Sequence, residues 1–190
     1  MDYIETVLSG IWILKPKVFD DSRGYFMETY KQTDFEKHIA SVPFTQDNES
    51  CSVRGVLRGL HYQLAPCSQA KLVRVIRGTV LDAVVDIRRH SPTFGKSFTV
   101  ELSGENKLQL FISKGFAHGF HVLSETVVFT YKVDRPYVPA CERGIRFDDP
   151  AIGIDWKLTE REAPILSEKD RQLPLLKDAE LNFEYNGGIE

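Results

Sequence analysis

The sequence predicts an all-β domain, folded as an antiparallel sandwich or barrel such as a jelly roll. Short segments rich in β-branched and aromatic residues recur along the chain, and turn-forming residues separate them. Within residues 81–87 every odd-numbered position is apolar, whereas Asp82 and Asp86 fall on the opposite face of the predicted strand. Helical windows are few. A length of 190 residues fits one domain.

The first predicted element is a hairpin formed by residues 11–18 and 25–31. Residues 19–24, between them, contain two Asp, a Ser and a Gly, which favour a tight turn. Arg23 and Glu28 flank the aromatic strand. The hairpin is therefore either purely structural or a carrier of charges that reach a ligand.

The best helix of the first half is predicted over residues 34–41. Asp34 can cap its N-terminus, and the spacing of Phe35 and Ile39 puts both on one side of the helix. The following residues, 44–51, are polar for a strand. Such a segment either lines a pocket or forms a plain loop.

Six further strands are predicted, with Gly, Pro and Asn between them as turn signals. From Trp156 onward the chain is richer in Glu, Lys and Pro, so this segment is expected to pack outside the sheet. It includes a short helical turn at residues 167–170. The six strands are residues 70–77, 79–88, 97–103, 107–113, 115–123 and 126–133.

Composition and cysteine usage indicate a soluble globular protein. Hydrophobic residues make up 42% and charged residues 27%, which are ordinary values. Cys51, Cys67 and Cys141 are odd in number and lack paired spacing, so neither a disulfide framework nor a zinc knuckle is expected. No basic region precedes an apolar run at the N-terminus, and no stretch reaches roughly 18 apolar residues. A cytoplasmic protein without a membrane partner is predicted.

Positive charge is concentrated between residues 50 and 81 of a chain whose net charge is −3. A region of one sign attracts counter-ions, which predicts a site for an anionic ligand. Nucleic acid is disfavoured as a partner because the chain is acidic overall and has no basic helix or aromatic RNA-reading motif. The segment has no Asp or Glu, and its cations are Arg54, Arg58, Lys71, Arg74 and Arg77.

Residues 58–63, Arg-Gly-Leu-His-Tyr-Gln, are the predicted reaction centre. They bring a guanidinium, an imidazole and an amide together on a short apolar strand. In a regular strand His61 and Gln63 share one face and Arg58 lies on the other. A bulge at Gly59 would relax that alternation.

The histidines allow a structural, a catalytic or a metal-binding interpretation. A single His is more often structural, but Lys71 and a second pair, His118 and His121, favour catalysis. A metal site would need further His or carboxylate ligands. Gln63 stands where a second His would be expected, and Lys71 would repel a cation. No metal is therefore predicted.

Without a metal, the same residues suit proton abstraction beside a carbonyl group. A histidine can act as the base near neutral pH, and Lys71 can stabilise the resulting enolate. Tyr131 is a candidate for the acid that returns a proton, although a tyrosine in a strand is often core packing with its hydroxyl bonded elsewhere. Spacing alone leaves both roles of Tyr131 open.

Several strings occur in order along nearly the whole chain: FDDSRGYFME at 19–28, QDN at 46–48, GVLRGLHYQ at 55–63, KLV at 71–73, VDIR at 85–88, SPTFG at 91–95, GFAHGF at 115–120 and LSEKD at 166–170. Together they closely resemble the dTDP-4-dehydrorhamnose 3,5-epimerase family. The resemblance implies an isomerase with a cupin-type jelly roll over residues 1–190, no metal and no cofactor. It also implies a homodimer that exchanges N-terminal strands, about residues 1–32, and a segment of about 156–190 outside the barrel.

The resemblance assigns the catalytic roles to four residues. His61 would remove the protons at C3 and C5 of a dTDP-4-keto-6-deoxyhexose, and Asp170 would orient its imidazole. Tyr131 would deliver a proton from the opposite face. Lys71 would offset the charge of the enolate oxygen.

The resemblance also assigns substrate contacts. Tyr137 would stack on thymine, and the arginines suit diphosphate because their guanidinium groups donate forked hydrogen bonds. The remaining contacts would be Arg23, Glu28, Gln46, Asp47, Asn48, Arg58, His118, Glu142 and Lys169.

Two departures from the family pattern are His121 after Phe120 and Phe111 in place of a Trp. Relatives that invert a single carbon share most of the strings, so a 3- or 5-epimerase is an alternative. A metal-dependent cupin enzyme and a non-catalytic sugar-nucleotide binding module are further alternatives.

Overall fold

The computed structural model describes residues 1–158 and 163–187. Its helices are α1 (Gln32–His38) and α2 (Glu168–Arg171), with 3-10 turns at Pro139–Cys141 and Leu176–Asp178. Its strands are β1 (Asp2–Glu5), β2 (Ile11–Lys15), β3 (Val18–Asp21), β4 (Gly24–Met27), β5 (Gln46–Val53), β6 (Leu57–Gln63), β7 (Lys71–Arg77), β8 (Thr79–Asp86), β9 (Ser97–Ser103), β10 (Gln109–Ile112), β11 (Phe116–Val122), β12 (Thr126–Val133) and β13 (Glu142–Gly144).

Two antiparallel sheets form a sandwich. One has the strand order β1-β2-β10-β7-β12-β5, and the other has the order β13-β6-β11-β8-β9. Val73 and Phe129 from the first sheet pack with Val84 and Phe120 from the second in one buried cluster. The predicted all-β antiparallel fold is confirmed.

Strand β8 is buried on both faces. Leu81 and Val85 belong to a second cluster, in which Trp156 and Phe183 of the C-terminal part cover the outside of the five-stranded sheet. Asp82 is fully buried on the opposite face. The predicted C-terminal segment, about residues 156–190, lies partly outside the described residues.

Helix α1 covers part of the outer face of the six-stranded sheet. It begins at Gln32, and Lys31 is its N-cap, so the prediction that Asp34 caps the helix is wrong. Asp34 lies in the first turn, 3.3 Å from Lys31. Phe35 is fully buried, edge-on to Phe44 and Phe111. Aromatic packing therefore fixes the helix on the sheet.

The predicted strand over residues 11–18 is two strands. Pro16 lies between β2 and β3, because a proline cannot donate to a ladder of hydrogen bonds. Strands β1 and β2 pair with each other and β2 pairs with β10, whereas β3 pairs with β4 as a separate hairpin. Phe26 on that hairpin is 70% exposed.

Cys67 and Cys141 form a disulfide bond, so the expectation that the chain has no disulfide framework is wrong for these two residues. They are 74 residues apart in sequence, and the pairing of β13 with β6 brings them together. Cys51 is free and exposed. Within residues 1–158 and 163–187, no helix is long and apolar enough to cross a membrane.

Candidate active site

Two adjoining cavities share part of their lining. The first has a volume of about 530 Å³ and the second of about 450 Å³. His61, Lys71, Tyr131 and Glu142 line both. Arg58, His118 and Asp170 line the first, and Gln46, Asn48 and Tyr137 line the second. Strands from both sheets and helix α2 thus meet at one elongated site.

A close contact between β6 and β11 lets Arg58 and His61 line the same cavity. Gly59 has φ +122, and the register of the two strands shifts between His118 and Phe120. A Cβ atom on Gly59 would lie 2.6 Å from the Cα of Gly119, so only glycine fits. The predicted irregularity at Gly59 is confirmed.

His61 and Asp170 form a hydrogen-bonded pair. The Nε2 of His61 lies 2.5 Å from Oδ1 of Asp170, which is 3% exposed. Burial would raise the pKa of Asp170, but hydrogen bonds from His61 and Ser167 and the charge of His61 lower it overall. A neutral His61 that donates from Nε2 has an unprotonated Nδ1, which can accept a proton.

The buried carboxylate of Asp82 is hydrogen-bonded to His118 and acts on Lys71 through its charge. The Nε2 of His118 lies 3.0 and 2.9 Å from the two oxygens of Asp82. Burial lowers the pKa of Lys71, against the opposing charges of Asp82 and Glu142. Burial raises the pKa of Asp82, against His118 and Lys71. A cationic Lys71 would therefore gain from a negative charge developing in the cavity.

Tyr131 reaches the cavities from β12, where it pairs with Asn48 of β5. Burial raises the pKa of Tyr131, with Arg58 opposing and Glu142 reinforcing the shift. Among the residues that the structure describes, none is hydrogen-bonded to the Tyr131 hydroxyl. Its position on the cavity wall leaves this hydroxyl available to a bound molecule.

Glu142 joins Tyr137 to helix α2. It accepts a hydrogen bond from the Tyr137 hydroxyl and forms an ion pair with Lys169. Burial would raise the pKa of Glu142, but these contacts and the nearby His61 lower it overall. Glu142 and Tyr137 thus line the second cavity, and Lys169 is bonded to Glu142 behind them.

Gln63 holds the loop that carries Tyr137. Its Oε1 accepts a hydrogen bond from the Val138 N–H at 2.6 Å, and its Nε2 donates to the carbonyl oxygens of Cys67 at 2.8 Å and Pro136 at 3.3 Å. The side chain is 4% exposed. Gln63 therefore binds the protein's own backbone.

Three residues of the predicted substrate set lie away from the two cavities within this chain. Arg23 is 87% exposed at the hairpin and pairs with Asp21 at 2.6 Å. Glu28 follows β4, and Asp47 forms an ion pair with Lys132 at 2.8 Å on the outer side of the sheet. The other predicted site residues line one of the cavities or, for Lys169, bond to Glu142.

Of the five clustered cations, Arg58 and Lys71 line the cavities. Arg74 lies in a separate concavity on the outer face of the six-stranded sheet. His121 points away from His118 and hydrogen-bonds the carbonyl oxygen of Trp156 at 2.8 Å. Within the described ranges, no group of three or more His, Cys, Asp or Glu residues is arranged to hold a metal ion.

Periodicity did not identify two polar residues that support the site. The sequence predicted only that Asp82 lies on the opposite face of a strand from the apolar odd-numbered residues, and gave no sign of a role in the site. Ser167, which bonds to Asp170, had the signature of a helix cap and nothing that pointed to a reaction.

Comparison with known proteins adds the family. The model of the dTDP-4-dehydrorhamnose 3,5-epimerase family matches residues 5–178. The chain is similar to an enzyme of that name from Shigella flexneri, with 52% identity over 171 residues, covering 90% of this chain and 93% of the relative. A relative of the same name from Pseudomonas aeruginosa is 52% identical over 174 residues, covering 91% of this chain and 94% of the relative.

Solved structures show the same likeness. A Legionella pneumophila 3,5-epimerase in complex with dTDP-4-keto-L-rhamnose has a TM-score of 0.93 and 44% identity, covering 98% of this chain and 99% of that one. A 3'-monoepimerase from Streptomyces bikiniensis, bound to dTDP-quinovose, has a TM-score of 0.85 and 32% identity, covering 92% and 87%. The predicted cupin-type jelly roll and isomerase class are confirmed. The chain belongs to the dTDP-4-dehydrorhamnose 3,5-epimerase family.

Proposed function

We propose that the protein converts dTDP-4-dehydro-6-deoxy-D-glucose to dTDP-4-dehydro-L-rhamnose by inverting C3 and C5. The observation that carries this proposal is the meeting of the His61–Asp170 pair, Lys71 and Tyr131 at one elongated site. Inversion beside a ketone requires a base, a group that stabilises the enolate and an acid on the opposite face, and an imidazole, a cation and a phenol can fill these roles. Family membership supports the same reaction.

Proton removal is the first step. Hydrogens on C3 and C5 are acidic because both carbons adjoin the C4 ketone. His61 takes one of them through its unprotonated nitrogen, and the Asp170 carboxylate stabilises the imidazolium. The C–H electron pair becomes the enolate, whose oxygen is stabilised by Lys71.

Reprotonation from the other face completes each inversion. The Tyr131 hydroxyl gives its proton to the carbon, and the enolate collapses back to the ketone. Exchange with solvent returns a proton to Tyr131 and removes one from His61, so no net proton is consumed. Side chains alone supply the chemistry.

The nucleotide end of the substrate fits the second cavity. Tyr137 offers an aromatic face for thymine, and Gln46 and Asn48 offer amides hydrogen-bonded to each other at 2.8 Å. Arg58, in the adjoining first cavity, suits a diphosphate oxygen, since its guanidinium is bonded only to the Ser52 hydroxyl, at 3.1 and 3.3 Å, among the described residues.

We further propose a homodimer in which the β3–β4 hairpin reaches the partner's site. This hairpin exposes Phe19, Tyr25 and Phe26, with Arg23 at its tip. Contact with a second copy would cover that apolar surface and add Arg23 and Glu28 to the diphosphate end of the cavity. Exchange of about residues 1–32 would then centre on this hairpin, because β1 and β2 pair within their own chain.

Mixed dimers test this arrangement. Arg23→Ala and His61→Ala subunits are each expected to be inactive as pure dimers. A mixed dimer would have one site with both native residues if the hairpin crosses, and would recover about half the activity per dimer. No recovery would contradict the exchange.

We also propose that the protein is cytoplasmic, because its proposed substrate is a sugar nucleotide and sugar nucleotides are made in the cytoplasm. The Cys67–Cys141 bond is the feature that stands against it. Thiol titration of protein isolated from cells without reductant decides whether the two cysteines are reduced in place.

Deuterium exchange tests the reaction. Incubation of the ketosugar with the protein in heavy water should label C3 and C5, and His61→Ala should abolish both labels, with a loss of about 100- to 10,000-fold. Label at neither carbon with the native protein would refute the proposal.

The similarity to a 3'-monoepimerase makes single inversion the second candidate. Label at C3 alone would establish it. Determination of the metal content of the active protein distinguishes a metal-dependent cupin enzyme from the proposed epimerase. Binding of thymidine diphosphate without proton exchange would indicate a binding module.

A further inference from the structure

We propose that Ser167 is a positioning residue for the His61–Asp170 pair, because its hydroxyl holds one oxygen of the Asp170 carboxylate while His61 holds the other. The roles of His61 and Asp170 rest on the proposed function. The Ser167 contact itself is a property of the folded chain, so it can be tested without substrate.

The hydroxyl of Ser167 makes two hydrogen bonds to the same residue. Its oxygen accepts the backbone N–H of Asp170 at 3.1 Å, as the N-cap of α2, and its hydrogen is donated to Asp170 Oδ2 at 2.7 Å. The Nε2 of His61 bonds to Oδ1 at 2.5 Å. Each carboxylate oxygen therefore has its own donor, which fixes the rotation of the carboxylate about its last bond.

This fixation matters because Asp170 is almost fully enclosed. With 3% exposure, the carboxylate has little water to replace a lost donor. The charged groups that face it are His61 from β6 and Lys169 from its own helix, and Lys169 is paired with Glu142 of β13. A carboxylate free to rotate would hold the His61 ring less firmly in the orientation that directs Nδ1 at a substrate carbon.

Capping alone does not require a serine. Aspartate caps helices about as well as serine, because capping needs only an acceptor. Aspartate cannot donate to Asp170, whereas threonine can both accept and donate. Ser167 is exposed at the cavity rim, so these substitutions leave the buried core intact.

Three variants separate the two bonds. Ser167→Thr keeps both, and Ser167→Ala loses both. Ser167→Asp keeps the acceptor, loses the donor and adds a negative charge beside Asp170. We expect kcat close to that of the native protein for the threonine variant, and roughly 10- to 100-fold lower for the other two, the loss expected for one hydrogen bond to a charged group. The melting temperature should fall for alanine, which loses the cap of α2.

A substrate-free measurement accompanies the kinetics. Titration of the Asp170 carboxyl carbon by NMR should give a higher midpoint in Ser167→Ala than in the native protein, since this variant loses a donor to the ionised form. In Ser167→Asp the midpoint should be higher again, because the new carboxylate adds a like charge beside Asp170. An unchanged midpoint in Ser167→Ala, or native kcat in Ser167→Asp, would overturn the inference. A native protein that exchanges neither C3 nor C5 would refute the proposed function instead, and the titration would still decide the role of Ser167.

Discussion

Replacement of Gln63 by leucine is expected to raise KM far more than it lowers kcat. Leucine fills nearly the same space but makes none of the three hydrogen bonds that tie residues 136–138 to Cys67. The loop carries Tyr137, which we assign to the nucleotide, whereas the reacting groups His61 and Tyr131 lie on strands. Loss of the bonds should therefore weaken binding and leave proton transfer largely intact.

The structure also sets the cost in stability. Each hydrogen bond contributes about 1 kcal/mol net, and Pro136 is exposed, so water can replace that partner. The Val138 N–H and the Cys67 carbonyl oxygen are partly buried and less easily solvated. We expect a decrease of about 2–3 kcal/mol in the free energy of unfolding, which urea titration measures.

Gln69 provides the matched control. Its amide makes one hydrogen bond to the same loop, to the carbonyl oxygen of Arg135 at 2.6 Å. Gln69→Leu should lose about 1 kcal/mol or less and change KM only slightly. Equal KM for Gln63→Leu and the native protein, despite lower stability, would refute the reasoning, because the loop would then keep its position without Gln63.

Three further predictions concern the reacting groups. Tyr131→Phe should still exchange C3 and C5 hydrogens with heavy water but should form little inverted product by NMR, and equal loss of both would contradict the assigned acid. Lys71→Met should lower kcat by roughly 100-fold or more, because it removes a cation preorganised at the enolate oxygen, and an unchanged kcat would exclude that role. Asp170 has a lowered pKa in the fold, so its stabilisation is present above the unfolded pKa of about 4 and is lost as pH falls through the folded value. Urea unfolding of Asp170→Asn should therefore show a smaller loss of stability between about pH 5 and about pH 3 than the native protein, and parallel curves would contradict this.

Local patterns predicted the strands well where one short segment held the signal. Residues 81–87 are apolar at every odd-numbered position, and all but the last of them lie in β8. The same pattern could not show that Asp82 is buried, because a second layer covers each face of that strand. The break at Pro16 and the first residue of α1 are each set by one backbone position. A periodic pattern over several residues does not locate such a boundary.

Local patterns predicted less of the site, because the residues that form it are far apart in the sequence. His61 and Asp170 are 109 residues apart, and only the resemblance to a family linked them before the fold was known. Cys67 and Cys141 are brought together by the pairing of β13 with β6, which their spacing in the sequence does not predict. By contrast, the irregularity at Gly59 was foreseeable, since a glycine beside a mixed polar strand commonly marks a bulge.

The backbone contact of Gly59 with Gly119 has a consequence for altering this enzyme by mutation. A methyl group on Gly119 would lie 2.5 Å from the carbonyl oxygen of Arg58, so either glycine can change only if a whole strand moves. Those strands carry His61 and His118, which are register partners. Libraries designed to widen substrate choice should leave both glycines untouched and vary the Tyr137 loop, where residues 135–137 are exposed.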